Sequence, residues 1–449
     1  MRPKNQSVCA TSVVMGQERT SCCQYPPGMN YRRRKRAIHH AEAHAEGASA
    51  AQPGVLDHVL VPSAEAELVT TAEQVTSFLD HVRTEGLFAF DTEFIGEETF
   101  HPRICLIQLS TTKRIALIDP FDLTKEALAP VWEAVCCDEL TTIVHAGGQD
   151  IDAAQRATGR QAANVVDTQI AAAFLGMPWP VSLGNAIHGV TDHRLRKSHT
   201  LTEWDSRPLT RSQLSYAADD VRYLPLMWSV QRERLSAQGR LEWATEESRE
   251  SLRTSEEFNP ESQVRRAARG LGFRPRVMTI LRELVVLRCT LAKLKDVPPR
   301  TLIPDSPLLE LARNKYSTPA ELGEIRGLPR HVAAAHGDEI LRTIDAARNL
   351  PLDRDRIWSP PEESAEDRTR IDALWSILTM RCISMGLSTG LVLTRSELSR
   401  WHLARHESRG DLFPADSWRA RAVGDWLRDF LAGKETLRLG WRDGGPIVP

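Results

Sequence analysis

Apolar and polar positions along this chain change register several times, and each change predicts an element. Residues 1–55 sustain no hydrophobic period and read as a disordered tail. "AEQVTSFLDHVRT" (72–84) carries helical spacing, and the apolar run "LFAFDTEF" (87–94) after it reads as a strand. "RICLIQLS" and "RIALID" flank the polar turn "TTK", the signature of a hairpin. "ALAPVWEAVC" reads as a helix, "TTIVHA" as a buried strand, and helical periodicity runs from "QDIDAAQRATG" to about residue 236. Strands first and helices after predict an α/β domain over 56–245, a mixed sheet flanked by helices. A charged stretch, "EEFNPESQVRRAARG", separates it from an all-helical unit at 274–348. The Pro-rich segment 349–366 reads as a linker, and 367–449 as a second small helical unit led by "TRIDALWSILTMRCISMG".

Composition narrows the class. The chain has 449 residues, room for two to four domains at roughly 100–200 residues each. Its 57 Lys and Arg against 59 Asp and Glu leave a net charge of −2, so a polyanionic partner must be met by local basic patches. One such run, Arg32-Arg33-Arg34-Lys35-Arg36, lies in the tail and reads as solvated chain. The eight cysteines include no C-x-x-C pair and no framework spacing, which fits neither a zinc ribbon nor a disulfide scaffold. With no apolar signal core and no run near the roughly 18 residues that span a bilayer, a cytoplasmic protein with no membrane partner is expected.

The strand "LFAFDTEF" raises a chemical question. Asp91 and Glu93 are two apart, so on a strand they project to one face, where each unpaired charge costs several kcal/mol to desolvate (order of magnitude). Asp150 follows His145 in "VHAGGQDID", where a strand gives way through two glycines to a helix. In "LSYAADDVRYLPLM", Tyr216 and Asp220 are one helical turn apart on one face. Asp152 competes with Asp150, and Asp219 with Asp220, on chemistry alone. Four carboxylates and a phenol suit hard cations such as Mg²⁺ or Mn²⁺, and two such ions about 3.5–4 Å apart would balance them.

"FDTEF", "VHAGGQD" and "YAADD" resemble the three exonuclease motifs of the DEDD superfamily, in its Tyr-containing branch. The text between them ("DTQIAAAFLG", "SLGNAIHGV", "LRKSHTLTEW", "RPLTRSQLSYAADDVRYL") is similar to the ribonuclease D pattern over about 68–236. "VPPRTLIPDSPLLELARN" followed by "TPAELGEIRGLP" resembles an HRDC domain, and 367–449 stands where the family has a second, more divergent one. The resemblance implies a ribonuclease-H-like exonuclease fold followed by two small all-α HRDC-like domains.

It also implies a metal-dependent 3′–5′ exoribonuclease that releases 5′-mononucleotides, with tRNA precursors as RNA substrate. Carried over, the catalytic residues are Asp91, Glu93, Asp150, Tyr216 and Asp220, and the four acids ligate two divalent cations, Mg²⁺ or Mn²⁺. The family spacings select Asp150 over Asp152 and Asp220 over Asp219. Asp167 in "VVDTQ" reads as a helix N-cap, and His145 as a brace. Lys197 and Trp204 are candidate substrate contacts, although Arg196-Lys197 and Glu203-Trp204 stand where the family often has Asp-Lys and Asp-Trp. Arg265, Arg266, Arg269, Arg274 and Arg276 offer the helical units a basic face for RNA. No phosphate-loop motif is present, so no nucleotide cofactor is expected, and a monomer is favoured. The competing readings are a 3′–5′ exonuclease acting on DNA and an inactive RNA-binding scaffold.

Overall fold

The computed structural model describes residues 55–96, 98–195, 203–252, 260–268, 274–352, 363–404, 410–442 and 445–447. The expected tail up to residue 54, Lys197 with Arg196, and most of the 349–366 linker lie outside the described residues. Pro53–Pro449 forms one compact unit.

A six-stranded mixed sheet organises the first half, in the order β1-β4-β3-β2-β5-β6. The strands are β1 (Glu67–Val69), β2 (Leu87–Ile95), β3 (Arg103–Ser110), β4 (Ile115–Ile118), β5 (Thr141–Val144) and β6 (Val165–Asp167). β2 runs antiparallel to β3 and parallel to β5, which places it near the middle of the sheet. β3 and β4 form the expected hairpin. The edge strands β1 and β6 were not expected from the pattern: each is three residues long, too short for a period of two to register. β6 therefore interrupts what reads as continuous helix between 148 and 236.

Helix α1 (Ala72–Glu85) opens with a capping box between Thr71 and Gln74 and closes at Gly86, whose φ of 71° favours glycine. It joins α2 (Lys125–Val135) and α3 (Gly148–Thr158) on one face of the sheet, around Phe78, Phe88, Phe90 and Val131. The other face carries α4 (Thr168–Phe174), α5 (Leu183–Thr191), α6 (Arg211–Arg222), α7 (Leu224–Ala237) and α8 (Leu241–Leu252), over Ala89, Leu106, Ala217 and Met227.

The central helical unit closes its own core. α9 (Pro260–Ala267), α10 (Pro275–Lys295), α11 (Pro299–Leu302), α12 (Asp305–Arg313), α13 (Pro319–Leu322) and α14 (Arg330–Asn349) enclose Leu281, Leu308, Leu322 and Ile340. The charged stretch read as a separator contributes α9, which buries Val264 in this core, so the unit begins before residue 274.

The last unit behaves differently. α15 (Ala365–Ser384), α16 (Thr389–Val392), α17 (Arg395–Ala404) and α18 (Asp425–Leu431), the last preceded by a wide turn at Ala420–Gly424, send Ile371, Leu378 and Trp418 into the core of the exonuclease half. Trp418 packs on Phe174 with ring centroids 4.6 Å apart and donates its indole N–H to Glu247 at 2.7 Å. Arg419 forks onto the same Glu247 with two bonds of 2.7 Å. A short hairpin, β7 (Gly440–Arg442) with β8 (Gly445–Ile447), ends the described chain.

Candidate active site

Strand alternation sets the direction of Asp91 and Glu93. Phe88 and Phe90 face the α1–α3 layer, while Leu87 and Ala89 face the layer that holds α6. Asp91 and Glu93 continue the odd-numbered face, so both point towards α6. A bulge between Glu93 and Phe94 then shifts the pairing with β3 as the strand leaves the site.

The junction carrying Asp150 is sterically determined. A side chain at Gly147 would put its Cβ 2.5 Å from the Cβ of Val144, so only glycine lets the chain turn there into α3. Asp167 caps α4 by accepting from the Gln169 amide at 2.8 Å and also accepts from the Ala146 amide at 3.0 Å. It thus ties the start of one helix to the loop before another. Burial pushes its carboxyl up to about 6, against the backbone donors that favour the charged form. His145 is spanned by Thr168 Oγ1 at 3.0 Å and the Val181 carbonyl at 3.1 Å. A carbonyl only accepts, so Nε2 carries the proton in that bond. Burial lowers the ring to about 4, leaving it neutral at ordinary pH. Asp150, buried at the first turn of α3, accepts the hydroxyl of Thr92 from the opposite face of β2.

On α6 the buried residues Ala217 and Val221 seat the helix, which turns their neighbours Tyr216 and Asp220 towards β2. Thr210 and Gln213 form a capping box at its start, and Gln213 reaches back to the Glu203 carbonyl at 3.2 Å. The Trp204 ring, only 3% exposed, lies 6.0 Å from that of Tyr216. Arg207 straps this segment to the sheet through Asp119 at 2.8 Å and the Cys105 carbonyl at 2.7 Å.

Electrostatics measure the convergence. Asp91 is held well above the usual carboxylate range, first by burial and then by the charges of Asp150, Asp220 and Glu93. Burial, with Asp220 and Asp150, pushes Glu93 up to about 8, and burial takes Asp220 to about 7. The Tyr216 hydroxyl hydrogen-bonds to Asp220 and is raised by burial and by Asp220, Glu93 and Asp91. The rival acids are committed elsewhere: Asp152 to Arg156, and Asp219 to Arg222 at 3.1 Å.

The groups acting most strongly on Asp91 are therefore three more carboxylates, an arrangement that calls for a cation to neutralise it. All-oxygen donors fit a hard divalent ion. Among the described residues no three His, Cys, Asp or Glu side chains already form a finished ligand shell, and Asp150 is meanwhile occupied by Thr92.

Comparison with known proteins agrees with this geometry. A family model described as a 3′–5′ exonuclease matches residues 66–229, and an HRDC domain model matches 278–344. Ribonuclease D of Cronobacter turicensis is 31% identical over 378 residues, spanning 81% of this chain and 99% of that protein. The chain belongs to the ribonuclease D family. Ribonuclease D of Gluconacetobacter diazotrophicus is 29% identical over 361 residues, covering 80% of this chain and 91% of its own. The crystal structure of Escherichia coli RNase D, described as an exoribonuclease involved in structured RNA processing, superposes with a TM-score of 0.68 at 26% identity. It covers 83% of this chain and all of that one.

As a ribonuclease D family member the chain is a 3′–5′ exoribonuclease, a nucleic-acid-binding hydrolase whose fold works with divalent metal. Among the described residues no helix is long and apolar enough to cross a membrane. The structure brings Asp91, Glu93, Asp150, Tyr216 and Asp220 within electrostatic reach of one another. It buries Trp204 behind Tyr216, so that ring meets the site through the tyrosine. Lys197 lies outside the described residues. Thr92, Asp167 as a loop brace, and the Arg207–Asp119 strap were missed by the sequence reading, because hydroxyl and ion-pair partners 58 and 88 positions away leave no local spacing signal. Of the five candidate arginines, Arg276 is spent on the carbonyls of Ala347 and Leu350. Arg269 is outside the described residues.

Proposed function

We propose that this exoribonuclease trims the 3′ ends of tRNA precursors, releasing 5′-mononucleotides, and that Asp91, Glu93, Asp150 and Asp220 hold two divalent cations, Mg²⁺ or Mn²⁺, for the purpose. The observation that carries the reading is the mutual approach of four buried carboxylates with no cationic side chain among the strongest influences on Asp91. When bound, divalent cations in such a site lower the pKa of a water and neutralise charge on the departing oxygen.

The chain's own residues supply position. Tyr216 stays protonated at neutral pH because burial and three carboxylates disfavour its phenolate, so its hydroxyl serves to orient a water, not to remove its proton. Its ring is fixed by Trp204, and its oxygen by Asp220. Thr92 and the Gly147 turn hold Asp150 against the back of β2. His145, neutral and hydrogen-bonded through both ring nitrogens, braces β5 and takes no part in proton transfer.

The helical units bind the body of the substrate in this reading, and the five described cysteines, all free thiols, suit a reducing cytoplasm. Incubating 3′-extended tRNA, generic single-stranded RNA and matched DNA with each metal, and reading product lengths, tests it. Stepwise shortening of the tRNA extension with release of 5′-mononucleotides is expected. Equal hydrolysis of DNA and RNA would remove the substrate assignment.

A further inference from the structure

Beside the carboxylates a cleft of about 270 Å³ opens between the β2–β3 connection and the HRDC unit. Its exonuclease wall includes Thr92, Phe100, His101 and Gln149, and its HRDC wall includes Gln263 and Pro299. Thr92 sits between Asp91 and Glu93, and Gln149 precedes Asp150, so the cleft begins where the carboxylates end. The volume is just below the roughly 300–1,000 Å³ of small-ligand sites, a scale that accommodates about one nucleotide.

Both walls carry chemistry suited to a nucleotide. Phe100 is half-buried and meets His101 edge to face, with centroids 4.8 Å apart at 87°. Its backbone amide donates to Asp296 at 3.1 Å, which fixes the aromatic pair against the HRDC unit. Behind Gln263 and Pro299, three guanidinium groups share one carboxylate. Arg288, Arg300 and Arg266 lie 2.7, 3.1 and 3.4 Å from Asp305. Arg288 is wholly buried and also donates to Gln263 at 2.8 Å, linking the cluster to the cleft wall. The Nε atoms of Arg266 and Arg288 are buried without hydrogen-bond partners. Arg300 is 61% exposed and Arg266 39% exposed. Three positive charges against one negative leave a local surplus in a protein whose net charge is −2. Structural need accounts for Arg288, which also holds the Ile303 carbonyl at 3.0 Å, but not for the two exposed arginines.

We infer that this cleft is the subsite for the RNA nucleotide upstream of the one released, its base against Phe100 and its phosphate on Arg266 and Arg300. The inference rests on the nuclease reading above and adds to it where the strand leaves the carboxylates. The HRDC unit then contributes directly to the path of the 3′-terminal strand, in addition to gripping the body of the substrate.

The test is equilibrium binding of fluorescently labelled single-stranded RNA, two and five nucleotides long, to the full chain in chelator. For the pentanucleotide, the Arg266→Ala/Arg300→Ala variant is expected to bind about tenfold more weakly, with a salt slope shallower by about 0.7 for each phosphate that is no longer neutralised. Lys at both positions restores the slope, which a purely structural role for the guanidinium groups would not allow. Phe100→Ala costs about tenfold on the same RNA, the scale of one stacked base. Pentanucleotide affinity and salt slope equal to wild type in a folded Ala variant would overturn the subsite. Release of nucleotides from the same pentanucleotide by the wild-type chain with Mg²⁺ reports on the nuclease reading separately. Release with unchanged variant binding removes the subsite alone, and no release removes both.

Discussion

Thr92 donates its hydroxyl to the Oδ1 of Asp150, joining the face of β2 opposite Asp91 and Glu93 to the first turn of the helix beyond β5. One carboxylate of the site is thus positioned by a residue that takes no part in the chemistry. Thr92→Val keeps the shape and removes the donor. Partners of metal ligands typically contribute 10–100-fold, so this variant is expected to need about 10–100-fold more Mg²⁺ for half-maximal nucleotide release, with its melting temperature little changed. A metal titration of activity checks it.

The carboxylates make the metal-free protein sensitive to pH. Glu93 at about 8, Asp220 at about 7 and the raised Asp91 all lie above the roughly 4 of an unfolded carboxyl. Between pH about 4 and 8 the folded chain therefore binds more protons than the unfolded one, and stability falls as pH rises through that window. In chelator at pH 8, Asp91→Asn is expected to melt higher than wild type, with the difference vanishing near pH 4. Adding Mg²⁺ raises the melting temperature of wild type more than that of the variant. Thermal unfolding with and without chelator at the two pH values measures both effects.

Much of this site is legible in the sequence, and the reasons are local. Asp91 and Glu93 declare their common face by strand alternation, and Tyr216 and Asp220 by helical spacing. The separation of Asp150 from Asp152 is not local: it depends on Arg156 claiming Asp152, while Arg222 claims Asp219. The central helical unit is readable because its apolar residues close upon themselves. The last unit has the same helical signature, yet its apolar residues fill the exonuclease core, and periodicity does not say which surface an amphipathic face will meet. β1 and β6 escaped for want of length.

That shared core changes what truncation does. Sequence alone presents 367–449 as a separable module, whereas Trp418 fills space between Phe174 and Trp243 and bonds to Glu247. Trp418→Ala is expected to destabilise the whole exonuclease half by about 3–5 kcal/mol, the range for a large buried aromatic. Denaturant unfolding followed by the remaining tryptophans measures it. A loss confined to the C-terminal helices would mean the two parts fold independently.

Tyr216→Phe removes a hydroxyl but neither the ring packed on Trp204 nor a ligand charge. Its nucleotide release is expected to fall, yet to remain well above that of any Asp variant of the site. Single-turnover rates on one RNA strand at saturating Mg²⁺ give the order, and a phenylalanine variant as slow as Asp91→Asn would place the tyrosine in the chemical step itself.

The central claim is that four acids converge to hold the cations of a nuclease. It is tested most directly by metal-dependent release of 5′-mononucleotides from a 3′-extended RNA by Asp91→Asn beside wild type. The account predicts a folded variant slower by about three or more decades, since Asp91 feels all three other carboxylates. A variant that digests the RNA at close to the wild-type rate would contradict it.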